Sequence, residues 1–244
     1  MLPNSWKPIN TSGMVLIGPK CDGGYVVTEA AAKAANLLVS MGVNDDWRFE
    51  EDFRKRTGAS VVAYDGTVNW WFWTRHALRS IQRTDFRRLG RYASYRRFFT
   101  GEKVQHRKQM IGDGRNGTVS VSDILREFPD QQIFLKMDIE GSEYEVLDQI
   151  VAEQDRFAGI AMEWHEISRR RNDVTKFIAA MTTFSVVALH VNNWGGTDRN
   201  GDPQCLEMTL TQKRFVVTDE TASVPTMPPN NLNSAEVELK YELA

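Results

Sequence analysis

The chain has 244 residues, 41% of them hydrophobic and 25% charged, with 30 basic against 32 acidic side chains and a formal charge of −2. This is globular composition, which excludes a disordered or collagen-like chain, and no apolar run approaches the roughly 18 residues that a membrane-spanning helix needs. Two cysteines, Cys21 and Cys205, are too few for a disulfide framework or a four-thiolate metal site, and Met1–Ser12 lacks the apolar stretch of a signal peptide, so the expectation is a cytoplasmic protein with free thiols.

Residues 1–35 read as an N-terminal extension with a tight turn at Asp22-Gly23-Gly24-Tyr25. From 36 onward, apolar runs alternate with helical patterns, the signature of parallel βαβ units in a domain over 36–218. The first strand is expected at Asn36–Met41, ending at Gly42, and a helix from Asp46 to Arg56 with Phe49 and Phe53 on its buried face. The second strand is Ser60–Tyr64, ending at Asp65-Gly66. An insertion over 68–103 is rich in tryptophan and arginine and should be helical, with a break near Gly90.

Eleven basic residues lie between Arg75 and Lys108, opposed only by Asp85 and Glu102. Arg75, Arg79, Arg83, Arg87 and Arg91 recur every fourth residue and would form one stripe of a helix. That stripe is either a cationic rail for phosphates or acidic glycans, or a solvated face balanced by carboxylates elsewhere. Trp70-Trp71-Phe72-Trp73 offers a sugar-stacking lid or, equally, a homodimer interface.

A third strand is expected within Val104–Ile111 and a short helix over Thr118–Phe128. The fourth strand is Gln132–Met137, followed by a helix at Ser142–Val151 whose Ser142 and Glu145 have capping-box spacing. Phe157–Trp164 is the fifth strand, Val174–Met181 a helix and Phe184–Val191 the sixth strand. Cys205–Thr211 and Phe215–Thr218 form a closing hairpin or one longer strand. In the tail, 219–244, Val237, Leu239, Tyr241 and Leu243 alternate with charged residues as in a half-buried strand.

Ligands of an open parallel sheet sit beyond the carboxyl ends of its strands. There the sequence places Ser40 through Asp45, Asp65, Asp113, Asp138 to Gly141, Glu163-Trp164-His165 and His190 to Asn193, a set rich in carboxylates, imidazoles and amides. A dinucleotide site wants a Gly-x-Gly-x-x-Gly turn and a helix N-terminus open to pyrophosphate. Only Gly42 is present, and Asp45, Asp46, Glu50 and Glu51 follow it, so a phosphate-free, cationic nucleoside such as S-adenosylmethionine suits the turn better than NAD. Asp65 is placed to take ribose hydroxyls.

The run Lys136-Met137-Asp138-Ile139-Glu140-Gly141-Ser142-Glu143-Tyr144-Glu145-Val146-Leu147 resembles the signature of FkbM-type methyltransferases. Weaker matches are Leu38 to Val43 with Phe49-Glu50, Met162 to His165, and His190 to Asn193, so that the resemblance spans about Leu37 to Leu210. It implies a Rossmann-like class I fold, with a mostly parallel seven-stranded sheet flanked by helices. It also implies an S-adenosylmethionine cofactor, and usually O-methylation of sugars or natural-product hydroxyls. The family's acidic residue two before the first loop glycine is Ser40 here, and its later glycine is Asn44, a residue that tolerates left-handed backbone. Ser40, Gly42, Asn44, Asp45, Asp65, Asp113 and Asp138 are the expected cofactor residues.

Transfer to a hydroxyl needs a base as well as alignment. The expected assignment makes His165 or His190 the base, with Glu163 orienting the imidazole and Asp138 beneath the transferring methyl. Asp138 and Glu163 could instead hold Mg²⁺ and lower the acceptor's pKa. The acceptor would be a small molecule or glycan. The competing readings are a nucleic-acid methyltransferase that uses 75–108, and a non-catalytic S-adenosylmethionine-binding module.

Overall fold

The computed structural model describes residues 1–82, 87–219, 221–231 and 237–242. Its elements are β1 (Met14–Ile17), β2 (Tyr25–Thr28), α1 (Glu29–Ala34), β3 (Leu37–Met41), α2 (Arg48–Thr57), β4 (Ser60–Tyr64), α3 (Trp70–Gln82), α4 (Arg87–Phe99) and β5 (Val104–Arg107). They continue with α5 (Val121–Glu127), β6 (Ile133–Met137), α6 (Leu147–Ala152), β7 (Phe157–Trp164), α7 (Ile167–Ala180), β8 (Phe184–Val191) and β9 (Leu206–Gln212). Strands β3 to β9 form one sheet in the order β5-β4-β3-β6-β7-β9-β8. All pairs among β5, β4, β3, β6 and β7 are parallel, and β9 runs antiparallel between β7 and β8. This is the seven-stranded, mostly parallel, Rossmann-like class I arrangement that the resemblance implies.

Helices cover both faces of the sheet, which is why its central strands are continuous apolar runs without alternation. Every residue of β3, β6 and β7 is buried. One face packs Val39, Met41, Leu135, Met137 and Ile160 against α5, α6 and α7. The other packs Leu38, Val61 and Phe134 against Phe49 and Phe53 of α2. The N-terminal hairpin β1–β2 joins this second face through Ile17, Tyr25 and Val27. Helix α2 stops at Gly58, whose φ of 74° lets its N–H cap the Arg54 carbonyl at 2.8 Å.

Four expectations are corrected. Helix α4 runs through Gly90; the insertion is instead two helices, α3 and α4, so the arginines do not share one continuous stripe. Of the stripe, Arg83 lies outside the described residues. Ser142 makes no capping bond: the chain takes a single 3-10 turn at Glu143–Glu145 before α6, because Glu143 is drawn inward to other partners. After β9 the chain makes a 3-10 turn at Lys213–Phe215, so there is one final strand with no hairpin. Among the described residues of the tail the one bridge is Tyr241 to Leu2, with no strand; Leu243 lies outside the described residues. Among the described residues no helix is long and apolar enough to cross a membrane.

Candidate active site

Strand order reverses at β3, with β4 and β5 on one side and β6 and β7 on the other, and a crevice opens there beyond the carboxyl ends. A cavity of about 790 Å³ occupies it, walled by the turns after β3, β4, β5, β6, β7 and β8 and by Asp22-Gly23 from the N-terminal hairpin.

The turn after β3 is shaped by close approach. Gly42 has a φ of 79°, and a Cβ there would lie 1.7 Å from the Asp138 carbonyl oxygen. Asn44 takes φ 45°, the left-handed conformation that its short amide tolerates. Asp65 braces this turn. Its Oδ2 accepts the Val43 and Asn44 N–H groups at 3.1 and 2.8 Å, and its Oδ1 accepts the Thr67 N–H and hydroxyl at 2.8 and 2.5 Å. Burial works against its charge, but these hydrogen bonds outweigh it and hold the carboxyl below its usual range.

The donors of the turn are thus spent on Asp65 and are not offered to a diphosphate. Asp45, Asp46, Asp65, Asp138, Glu140 and Glu163 all border the cavity. Its cations are engaged: Arg91 with Asp45, Arg48 with Asp46, and Lys136 with the Gly42 carbonyl at 2.5 Å. This acidic lining fits a sulfonium nucleoside and not a dinucleotide. Among the four donors to Asp65 only the Thr67 hydroxyl can rotate away, which frees one lone pair of Oδ1 for a ribose hydroxyl while the Thr67 N–H stays bound.

At the other end, Glu163 and His165 both reach the cavity from β7, as their spacing predicts. Glu163 Oε1 accepts the Asn192 amide and the Cys205 thiol, each at 2.7 Å, and lies 3.8 Å from His165 Nε2. The residue that orients the imidazole, however, is Glu143. Its fully buried carboxylate accepts the Ile139 N–H at 3.0 Å and meets His165 Nδ1 at 3.1 Å. Glu143 sits in the motif that carried the resemblance, yet its helix-start position gave no sign that it would turn inward.

Burial and the charge of Asp138 push Glu163 up to about 7. Burial opposes charge on His165, but the Glu143 bond and the charges of Glu143, Glu163 and Asp138 overcome it and raise the ring to about 9. Replacing Glu143 by Gln should therefore bring the His165 pKa down toward about 6.5. An NMR titration of the ring protons checks this.

His190 does not join the site. It lies over a smaller cavity beside β9, with Nε2 2.8 Å from Asn230 Oδ1. Asn192, two residues on, does reach Glu163, because the chain turns after β8. Asp113 also falls outside: half exposed, it accepts the Arg115 N–H and does not line the cavity. Ser40 is buried beneath the turn. Among the described residues, potential ligand atoms for a cation converge at Glu163–His165–Cys205, Asp138–Glu140–His165 and Asp22–Glu163–Glu207. The expected Mg²⁺ pair, Asp138 and Glu163, is divided between these groups.

Residues 105–192 match the family model of the methyltransferase FkbM domain, a narrower span than the resemblance but one that includes Asp138, Glu143, Glu163 and His165. No curated protein matches the chain. Similar solved structures include precorrin-6y C5,15-methyltransferase from Geobacter metallireducens GS-15, 10% identical over 75% of this chain and 85% of that one, TM-score 0.41. An rRNA methylase from Streptococcus thermophilus is 10% identical over 75% and 93% of the two chains, TM-score 0.39. TYW2 of M. jannaschii, solved in complex with AdoMet, is 9% identical over 82% and 87%, TM-score 0.35.

Proposed function

We propose that this chain, whose residues 105–192 carry an FkbM-type methyltransferase domain, transfers the methyl group of S-adenosylmethionine to a hydroxyl of a sugar, glycan or natural product. The supporting observation is that one acidic cavity joins the Asp65-braced turn to the Glu163–His165–Glu143 constellation. S-adenosylmethionine supplies the electrophilic methyl carbon; the protein aligns the acceptor and removes its proton.

The expected division of roles changes accordingly. An imidazole whose pKa stands near 9 already holds its proton at neutral pH and is a poor acceptor of another. Glu163, poised near 7, is the better base. His165, locked by Glu143, faces Glu163 from 3.8 Å and steadies its ionised form. Asp138, whose N–H bonds the Met41 carbonyl at 2.9 Å, places its carboxylate at the cavity floor between the two halves.

Calorimetry with S-adenosylhomocysteine followed by turnover on a panel of glycan acceptors tests the reading. Saturable binding with turnover is expected. Binding without methylation of any acceptor would indicate the non-catalytic module, and no binding would sink the proposal.

A second reading draws on a groove of about 700 Å³ on the α3–α4 hairpin, lined by Trp70, Trp73, Tyr92, Tyr95, Arg96 and Lys108. Trp70 and Tyr92 are the exposed aromatics there, and exposed rings beside cations such as Arg96 and Lys108 can stack bases and pair phosphates. A nucleic-acid acceptor then predicts affinity that falls steeply between 50 and 200 mM salt, by about 10³-fold for six phosphate contacts. For a small-molecule or glycan enzyme, a gel-shift titration should show no such complex.

A further inference from the structure

Beside Glu163 the cavity has an aromatic wall that proton removal does not use. Phe49 and Tyr64 border the cavity but are buried, whereas Trp194, on the turn after β8, is 63% exposed. Two contacts hold Trp194 in register with Glu163. Asn192 Oδ1 accepts the Trp194 N–H at 3.0 Å while its Nδ2 donates to Glu163 Oε1 at 2.7 Å. Gly195 packs so closely that a Cβ there would lie 2.5 Å from Cys205 Cβ, and the Cys205 thiol is the second donor to Glu163 Oε1. The tryptophans of α3 border other grooves and not this cavity.

Asp22, from the turn between β1 and β2, meets the same amide. Its Oδ1 accepts Asn192 Nδ2 at 3.1 Å and Asn230 Nδ2 at 3.3 Å. Both amides use that one oxygen, so among the described residues Oδ2 is left for a ligand. A carboxylate oxygen of Asp22 lies within 4.8 Å of one of Glu163, close enough for neighbouring hydroxyls to serve both. An indole face beside a carboxylate and an amide matches a pyranose ring, whose C–H face is apolar and whose edge carries hydroxyls. An aromatic acceptor with a single hydroxyl would stack as well but would supply only one of the two donors.

Charge is equally selective. Asp22, Glu140 and Glu163 line this end, and the His165 ring is held by Glu143. Arg48, Arg91 and Lys136 are bound at the turn after β3. A phosphate here would meet carboxylates whose cationic neighbours are already engaged.

We infer that Trp194 and Asp22 form an acceptor subsite for an uncharged sugar ring, which stacks on the indole, donates one hydroxyl to Asp22 Oδ2 and turns a neighbouring hydroxyl to Glu163. This rests on the methyltransferase reading and narrows its acceptor.

Saturation-transfer NMR on the protein saturated with S-adenosylhomocysteine reads the subsite, because it reports which ligand protons touch the protein. The probes are the methyl glycosides of glucose, mannose and galactose, each against the 6-phosphate of the same sugar. At least one glycoside should show transfer strongest at its ring C–H protons, and its 6-phosphate should bind at least about tenfold more weakly. Trp194→Ala should weaken that glycoside about tenfold and remove the ring-proton transfer, and Trp194→Phe should keep most of it. Both variants should hold S-adenosylhomocysteine like wild type, which is the folding control. Asp22→Asn, which removes the charge and keeps an acceptor oxygen, should relax the discrimination against the 6-phosphate and serves independently of Trp194.

S-adenosylhomocysteine binding without transfer to any glycoside, a 6-phosphate that binds as well as its parent sugar, or transfer unchanged in Trp194→Ala overturns the subsite and leaves the methyltransferase reading standing. Failure to bind S-adenosylhomocysteine removes both.

Discussion

Glu163→Gln is expected to lower kcat by about 10²–10⁴-fold, the usual contribution of a positioned base, while S-adenosylhomocysteine binding stays close to wild type. The swap keeps an amide oxygen for the Asn192 and Cys205 donors to Oε1, so the local packing is preserved and only the proton acceptor is lost. The pH dependence carries a second signature. A carboxylate acts as a base only when ionised, and burial together with Asp138 holds Glu163 near 7. Wild-type kcat should therefore rise with pH through about 7 and then level off, and the variant should lack that limb. A variant that turns over within about tenfold of wild type, with the limb intact, would transfer the role of base to another group.

Gly42→Ala is expected to abolish measurable cofactor binding and to destabilise the fold by about 2–5 kcal/mol, the sum of left-handed strain and overpacking. The added methyl would sit 1.7 Å from the Asp138 carbonyl oxygen, an obstacle that no side-chain rotation can relieve. The β3 and β6 ends would have to separate, moving Asp138 and carrying the Val43 and Asn44 donors away from Asp65. Thermal unfolding should report a Tm lower by roughly 4–20 °C, at about 2–4 °C per kcal/mol for a chain of this size. Wild-type affinity and Tm in this variant would show that the turn is not held as described.

Most of the sheet was legible because its strands are buried on both faces. Ser60–Tyr64, Phe157–Trp164 and Phe184–Val191 match to the residue, since an apolar run bounded by turn residues reports a strand directly, whether it is buried throughout like Phe157–Trp164 or lies at the sheet edge like Phe184–Val191. The helices were harder. Arginine spacing predicted one stripe across two separate helices, and the Ser142–Glu145 spacing predicted a cap that the inward turn of Glu143 forestalls. Local pattern reports what a segment prefers, and a tertiary partner can outbid it.

The candidate site divides along the same line. Gly42, Asn44, Asp65, Asp138, Glu163 and His165 were placed by strand-end position, and all six border the cavity. His190 and Asp113 met the same rule and lie elsewhere: His190 sits within the edge strand β8, opposite Glu207 and over the smaller cavity, and Asp113 falls beyond the part of the turn after β5 that lines the main cavity.

By itself, the amino-acid sequence determined the sheet, the acidic ends of its strands and the kind of nucleoside they suit, because burial and charge are written residue by residue. Only the tertiary structure decided who partners whom: Glu143 on His165, Glu50 on Ser40, and Asp65 as a brace. Those contacts join residues on different elements, and their geometry exists only once the sheet has brought the elements together.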